Sequence, residues 1–277
     1  MYYVTTLYTV FARGGQIAAR FLLPIIPPYD MIKEKAVRNM RKLWKKDPVW
    51  FAVAWIILYV VGFSVADGLS EAIGIPKLVT VLVGIIMASL LLCFVRKEQL
   101  WTRIGLCKVR GSVARLLWFV PLLLISCVNL CHGFSFEASP IEAILFVLSM
   151  CLVAFLEEII FRGFLFTGMC GGNVAVAVVV SSLTFGMGHA VNLLLGAPVL
   201  DTALQLVYAS AVGFCYTALF YTCGSILPCI LSHAVVNATS FFAAETGPQA
   251  QLVTAVAQTV LAVGYGLWLL RRKKDCC

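Results

Sequence analysis

Eight apolar runs dominate the chain: Val49–Ala66, Leu78–Val95, Leu116–Cys131, Ile141 to about Thr167, Val174 to about Leu195, Thr202–Phe220, Ile226–Ala244 and Leu252–Leu270. A helix of about 20 apolar residues crosses the roughly 30 Å of hydrocarbon in a bilayer. Inside lipid every backbone N–H and C=O must be paired within the protein, and a helix does this within a single segment. The runs therefore predict an all-α fold, a polytopic transmembrane helical bundle of about eight spanning helices. Of the 277 residues, 61% are hydrophobic and only 12% charged. A soluble domain has roughly 25% charged residues, so too little charge remains here to cover a surface facing water.

The formal net charge is +8, and its placement matters more than its size. Nineteen of the 21 Lys and Arg residues lie in 1–48, 96–115 and 271–274. If all eight runs cross, these segments share one side, while the opposite loops hold Lys77 with Asp67, Glu71, Glu137, Asp201 and Glu245. Basic loops stay in the cytoplasm. The expected organisation is thus a basic cytoplasmic N-terminal segment (1–48), a transmembrane bundle (49–270) and a basic cytoplasmic tail (271–277), with both termini cytoplasmic. Within the first segment, Ala36–Lys46 reads either as an amphipathic helix on anionic headgroups or as an extension of the first span. Nucleic-acid binding is excluded as a reading, because a basic patch needs an exposed domain to sit on. The eleven cysteines are scattered with no CxxC pair, and they read as reduced and structural.

Charged groups within a span are functional candidates by default. The fourth run alone carries several: Glu157, Glu158 and Arg162, followed by apolar Gly163-Phe164-Leu165-Phe166. The span therefore continues to about Thr167. Residues four apart share a helix face, so Arg162 should pair with Glu158 and hold it ionised. Glu157 then points elsewhere and is the candidate general base. His189 and His233 lie deep in the fifth and seventh runs, Phe185 one turn before His189, and Asn237 one turn after His233. Measured from the cytoplasmic ends of their helices, Glu157, His189 and His233 fall roughly 15, 20 and 10 Å in. Boundary uncertainty makes these one depth. His132, at the end of the third run, reads as incidental. Interhelical polar contacts explain a single buried histidine, but not two adjacent carboxylates of which one arginine can neutralise only one. These groups and the water they need predict a cavity that opens toward the cytoplasmic leaflet.

The pattern Glu157-Glu158-x-x-x-Arg162, Phe185-x-x-x-His189, His233-x-x-x-Asn237 resembles the three ordered motifs of the CAAX-protease and bacteriocin-processing family of intramembrane proteases. The resemblance covers about 140–245. It implies an intramembrane endopeptidase that hydrolyses a peptide bond of a membrane-associated substrate. Glu157 and His189 would position and deprotonate a water, His233 and Asn237 would stabilise the oxyanion, and Glu158, Arg162 and Phe185 would support them. Family members are commonly called metalloproteases. The resemblance thus leaves two cofactor readings: none, or a divalent metal such as zinc held by Glu157, His189 and His233. Its partners are a membrane-anchored or membrane-spanning peptide substrate and the lipid bilayer. The alternative within the same family is a non-enzymatic immunity or partner-binding membrane protein. A transporter would show broken helices or inverted repeats, and the sequence shows neither.

Overall fold

The computed structural model describes residues 29–109 and 119–274. The chain divides into two compact units, residues 1–42 and 43–277. The first described helix is α1 (Tyr29–Lys46), and the remaining described elements belong to the second unit. That helix ends before Asp47, whose side chain accepts from the backbone N–H groups of Val49 and Trp50 and so starts α2 (Pro48–Ile73) as a separate helix. Pro48 at the first turn and Gly74, left-handed at the C-cap, bound α2 by ordinary helix chemistry.

The remaining elements run in order. They are α3 (Leu78–Lys97), α4 (Val120–Ser126) continued by a 3₁₀ turn (Val128–His132), and α5 (Pro140–Glu158) continued by a π-helical segment (Ile159–Phe166) and a last turn (Thr167–Met169). Next come α6 (Val174–Met187), extended by short turns to Leu194, then α7 (Val199–Cys223), α8 (Leu227–Ser240) and α9 (Pro248–Lys274). Among the described residues there is no strand, only an isolated bridge between Phe134 and Ala243. Among the described residues, six helical stretches are long and apolar enough to cross a membrane: 48–73, 78–97, 140–169, 174–194, 199–223 and 248–272. The chain is a polytopic helical bundle, as expected. The other two expected spans are shorter elements. The seventh run is the 14-residue α8, about 21 Å at 1.5 Å per residue. In the third run the described part is the seven-residue α4 and its 3₁₀ turn. These two lie alongside each other: Ser126 bonds Ser232 at 2.7 Å and Asn129 donates to the Val236 carbonyl at 2.6 Å.

The bundle has two distinct ends. At one, the loop after α3 meets the turn before α8, where Ile226 N–H donates to the Gly105 carbonyl and Ser225 to that of Cys107; Gly168 lies against Pro48 at this end too. At the other lie the α2–α3 turn, where Lys77 pairs with Asp67, and the contact between 133–135 and 242–244. Around the outside, Ile57, Leu58, Val61 and Val65 of α2, Ile85 and Ile86 of α3, and Val253, Val256 and Val260 of α9 are exposed. An apolar surface of this extent belongs against lipid.

The centre is unusual in composition and winding. Every residue from Ile159 to Phe166 is buried, so this segment is enclosed on all sides. Small residues admit the neighbouring helices. A Cβ on Gly186 would lie 2.9 Å from both the Leu206 carbonyl and the Ser210 nitrogen of α7, so only glycine permits this approach of α6 to α7. Gly186→Ala should therefore destabilise the protein by about 1–3 kcal/mol, as overpacking against backbone does. Thermal unfolding in detergent, compared with wild type, checks this; an unchanged midpoint would contradict the close approach.

Candidate active site

The polar centre is assembled from five helices. Glu157 and Glu158 close α5, Arg162 sits in the π-helical segment, Phe185 ends α6 and His189 follows it. His233 and Asn237 lie on α8, Gly213 and Tyr216 on α7, and Tyr59 on α2. Glu158 and Arg162 are fully buried and joined at 2.9 Å. The guanidinium also donates to the Gly213 carbonyl at 3.2 Å. It lies over the Phe185 ring at 4.2 Å and faces the Tyr216 ring at 5.5 Å, which adds cation–π attraction to the ion pair.

The same Glu158 oxygen that meets Arg162 also meets His233 Nδ1 at 2.9 Å. A carboxylate held by a guanidinium can only accept, so Nδ1 carries the proton and Nε2 is turned the other way. Nε2 is 3.6 Å from Glu157 Oε2. That oxygen is buried without a hydrogen-bond partner among the described residues. The other carboxylate oxygen of Glu157 accepts from the Tyr59 hydroxyl at 2.6 Å. Phe185 stands edge-on to both histidine rings, 5.9 Å from His189 and 5.6 Å from His233, and holds them apart.

Two cavities meet here. The larger, about 410 Å³, is walled by Tyr208, Gln251, Thr254 and Gln258 of α7 and α9. The smaller, about 310 Å³, lies beside α2 and is walled by Tyr59, Ser64, Asp67 and Glu157. His189, Asn237, Phe185, Gln205 and Ser240 line both. His132, read as incidental, is in the wall of the larger one. Both cavities run from the site toward the Asp67–Lys77 and Asp201–Gln251 end. Among the described residues, neither of these cavities reaches the basic end, toward which the opening was expected. In that direction Trp44, Phe51, Phe94 and Phe164 pack ring against ring, with centroids 5.0–6.3 Å apart, and Leu100, Ile104 and Ile226 fill the remainder.

Spacing thus brought Glu157, Glu158, Arg162, Phe185, His189, His233 and Asn237 to one place. It missed two things. His233 shares Glu158 with Arg162, which requires α8 to lie against α5. Tyr59 comes from a distant helix; its one signal is a phenol amid Ile56-Ile57-Leu58 and Val60-Val61, where a hydroxyl needs a partner. The donors for a metal fit less well. Among the described residues no three His, Cys, Asp or Glu side chains gather as a metal-binding group. Glu157 Oε1 and His233 Nδ1 are bonded to protein, which leaves Glu157 Oε2 and His233 Nε2 facing each other at 3.6 Å.

Fold and site define a helical membrane protein with a buried carboxylate–histidine–arginine centre reached by polar cavities. Residues 139–239 match the family model described as Type II CAAX prenyl endopeptidase Rce1-like, which supports the CAAX-protease family for this chain and spans all three motifs. No curated protein matches the sequence. At the level of that family, the match supports a protease embedded in a lipid bilayer.

Removing either member of the Glu158–Arg162 pair strands a buried charge, at a cost of about 3–5 kcal/mol. Glu158→Ala and Arg162→Ala should each lower yield and thermal stability in detergent. The double variant should lose much less than the two losses combined. Strict additivity would remove the pairing from the account.

Proposed function

We propose that the chain hydrolyses a peptide bond with a water activated by Glu157 and His189, and that His233 and Asn237 stabilise the oxyanion. The observation that carries this reading is Glu157 itself. Tyr59 anchors one oxygen, while the other lies in the cavity region beside His233 Nε2, at 3.6 Å. A carboxylate held at one oxygen is oriented without being used up.

In the first step water attacks the scissile carbonyl carbon, its proton passes to Glu157, and the carbonyl oxygen becomes an oxyanion. Asn237 and His233 Nε2 donate to that oxygen. Donation from Nε2 needs the doubly protonated ring, since Nδ1 already donates to Glu158. In that form the ring and Arg162 together balance the charges of Glu157 and Glu158. In the second step the C–N bond breaks and Glu157 returns the proton to the departing amine. Stabilising the oxyanion with preset donors in a water-poor site is usually the largest electrostatic contribution to acyl transfer.

Glu157→Gln should lower turnover by about 10²–10⁴-fold, the usual worth of a positioned base, with thermal stability close to wild type. Tyr59→Phe should cost roughly ten-fold, about the worth of one hydrogen bond to a charged group. The measurement is cleavage of membrane-protein and peptide substrates by purified protein. Undiminished turnover in Glu157→Gln would take Glu157 out of the mechanism. A wild-type protein that cleaves nothing would instead favour a partner-binding role.

A further inference from the structure

The two ends of the bundle differ in chemistry as well as in packing. The end that holds Trp44, Phe51, Phe94 and Phe164 carries Lys45, Lys46, Arg96, Lys97, Arg103 and Lys108, with Arg271 and Arg272 following Leu269, which is buried in one cluster with Leu219 and Cys229. The end onto which the cavities open carries Asp67, Glu71, Glu137, Asp201 and Glu245, with Lys77 as its one basic residue among those described. Basic segments remain cytoplasmic. The open end then faces away from the cytoplasm.

The walls also discriminate between kinds of occupant. Asn129, Gln205, Tyr208, Gln251, Thr254 and Gln258 line the larger cavity. Amide and hydroxyl side chains suit the N–H and C=O groups of an extended peptide. A lipid tail there would leave these groups without partners, at about 1–3 kcal/mol for each one buried.

We infer that the site takes an unlipidated peptide segment presented at the non-cytoplasmic face, such as the part of a membrane protein just outside its span, rather than a lipid-anchored tail on the cytoplasmic face. This rests on the protease reading above for what happens to the segment, but not for where it enters. Water for hydrolysis arrives by the same polar route.

Single cysteines in an otherwise cysteine-free full-length chain test the entrance. Thr254→Cys and Ser64→Cys report on the larger and smaller cavities, Asp201→Cys on the open end, and Gln99→Cys on the basic end. None of these four residues belongs to the catalytic centre. A membrane-impermeant maleimide is applied to sealed vesicles of each orientation. The expected result is that Thr254→Cys and Ser64→Cys react from the face that labels Asp201→Cys, that this face is non-cytoplasmic, and that only Gln99→Cys reacts from the cytoplasmic face. Labelling of either cavity position from the Gln99 face, or from neither face, would overturn the proposed entrance. Labelling of Gln99→Cys from the non-cytoplasmic face would overturn the orientation. In parallel, the same vesicles are given a water-soluble unlipidated peptide. Cleavage only from the Asp201 face supports the substrate class, and cleavage from the Gln99 face overturns it. If neither face cleaves, the substrate class falls together with the protease reading, while labelling still decides the entrance.

Discussion

A single carboxylate oxygen, Glu158 Oε1, organises the centre of this protein. It receives Arg162 from the π-helical segment and His233 from α8, each at 2.9 Å. Taking such charges out of water costs several kcal/mol per ion, and the attraction between them offsets this only when geometry and further hydrogen bonds are good. The Gly213 carbonyl and the Phe185 and Tyr216 rings complete the surroundings of Arg162. The arrangement therefore ties α5, α6, α7 and α8 together at one point. It also decides which nitrogen of His233 faces Glu157, and so links the packing of the bundle to the chemistry of the site.

Around that point the protein is asymmetric. One half is dry: Phe51, Phe94 and Phe164 contact one another edge to face or stacked, geometries worth about 0.5–1.5 kcal/mol per pair beyond the area they bury. The other half is lined with amides and hydroxyls and open to water. A hydrolase inside a bilayer needs both. The dry half keeps the ionic centre rigid and strengthens its electrostatics; under the proposed mechanism, the polar half delivers water and peptide to Glu157. The hydroxyl contacts of Tyr216, Ser232 and Ser126, at 2.9 and 2.7 Å, fix α8 against α4 and α7 next to the histidine.

Much was legible from the chain alone. Apolar runs of bilayer length dictate helices, because lipid offers the backbone no other partner. Glu158 and Arg162 are one helical turn apart, so their pairing is local and spacing is enough to see it. Glu157-Glu158, His189 and His233-Asn237 are costly in lipid, and that cost marks them whatever the fold. Hydropathy does not give helix length: the seventh run holds the 14-residue α8, and an apolar run reads alike for a full crossing and for a short helix enclosed by its neighbours.

Other features depend on helices far apart in sequence, and no spacing encodes those contacts. Tyr59 reaches Glu157 across 98 positions and His233 reaches Glu158 across 75. The aromatic layer takes one residue each from α1, α2, α3 and the π-helical segment. Depth along a helix gives no information about which way a cavity opens, since that depends on where side chains from several helices fill the space between them. The sequence by itself determined the class of fold, the ionic pair and which polar residues gather at the centre, because these follow from the cost of polar atoms in lipid and from one-turn spacing. Only the tertiary structure decided the anchor on Glu157, the orientation of His233 and the open end, because each is set by packing between helices.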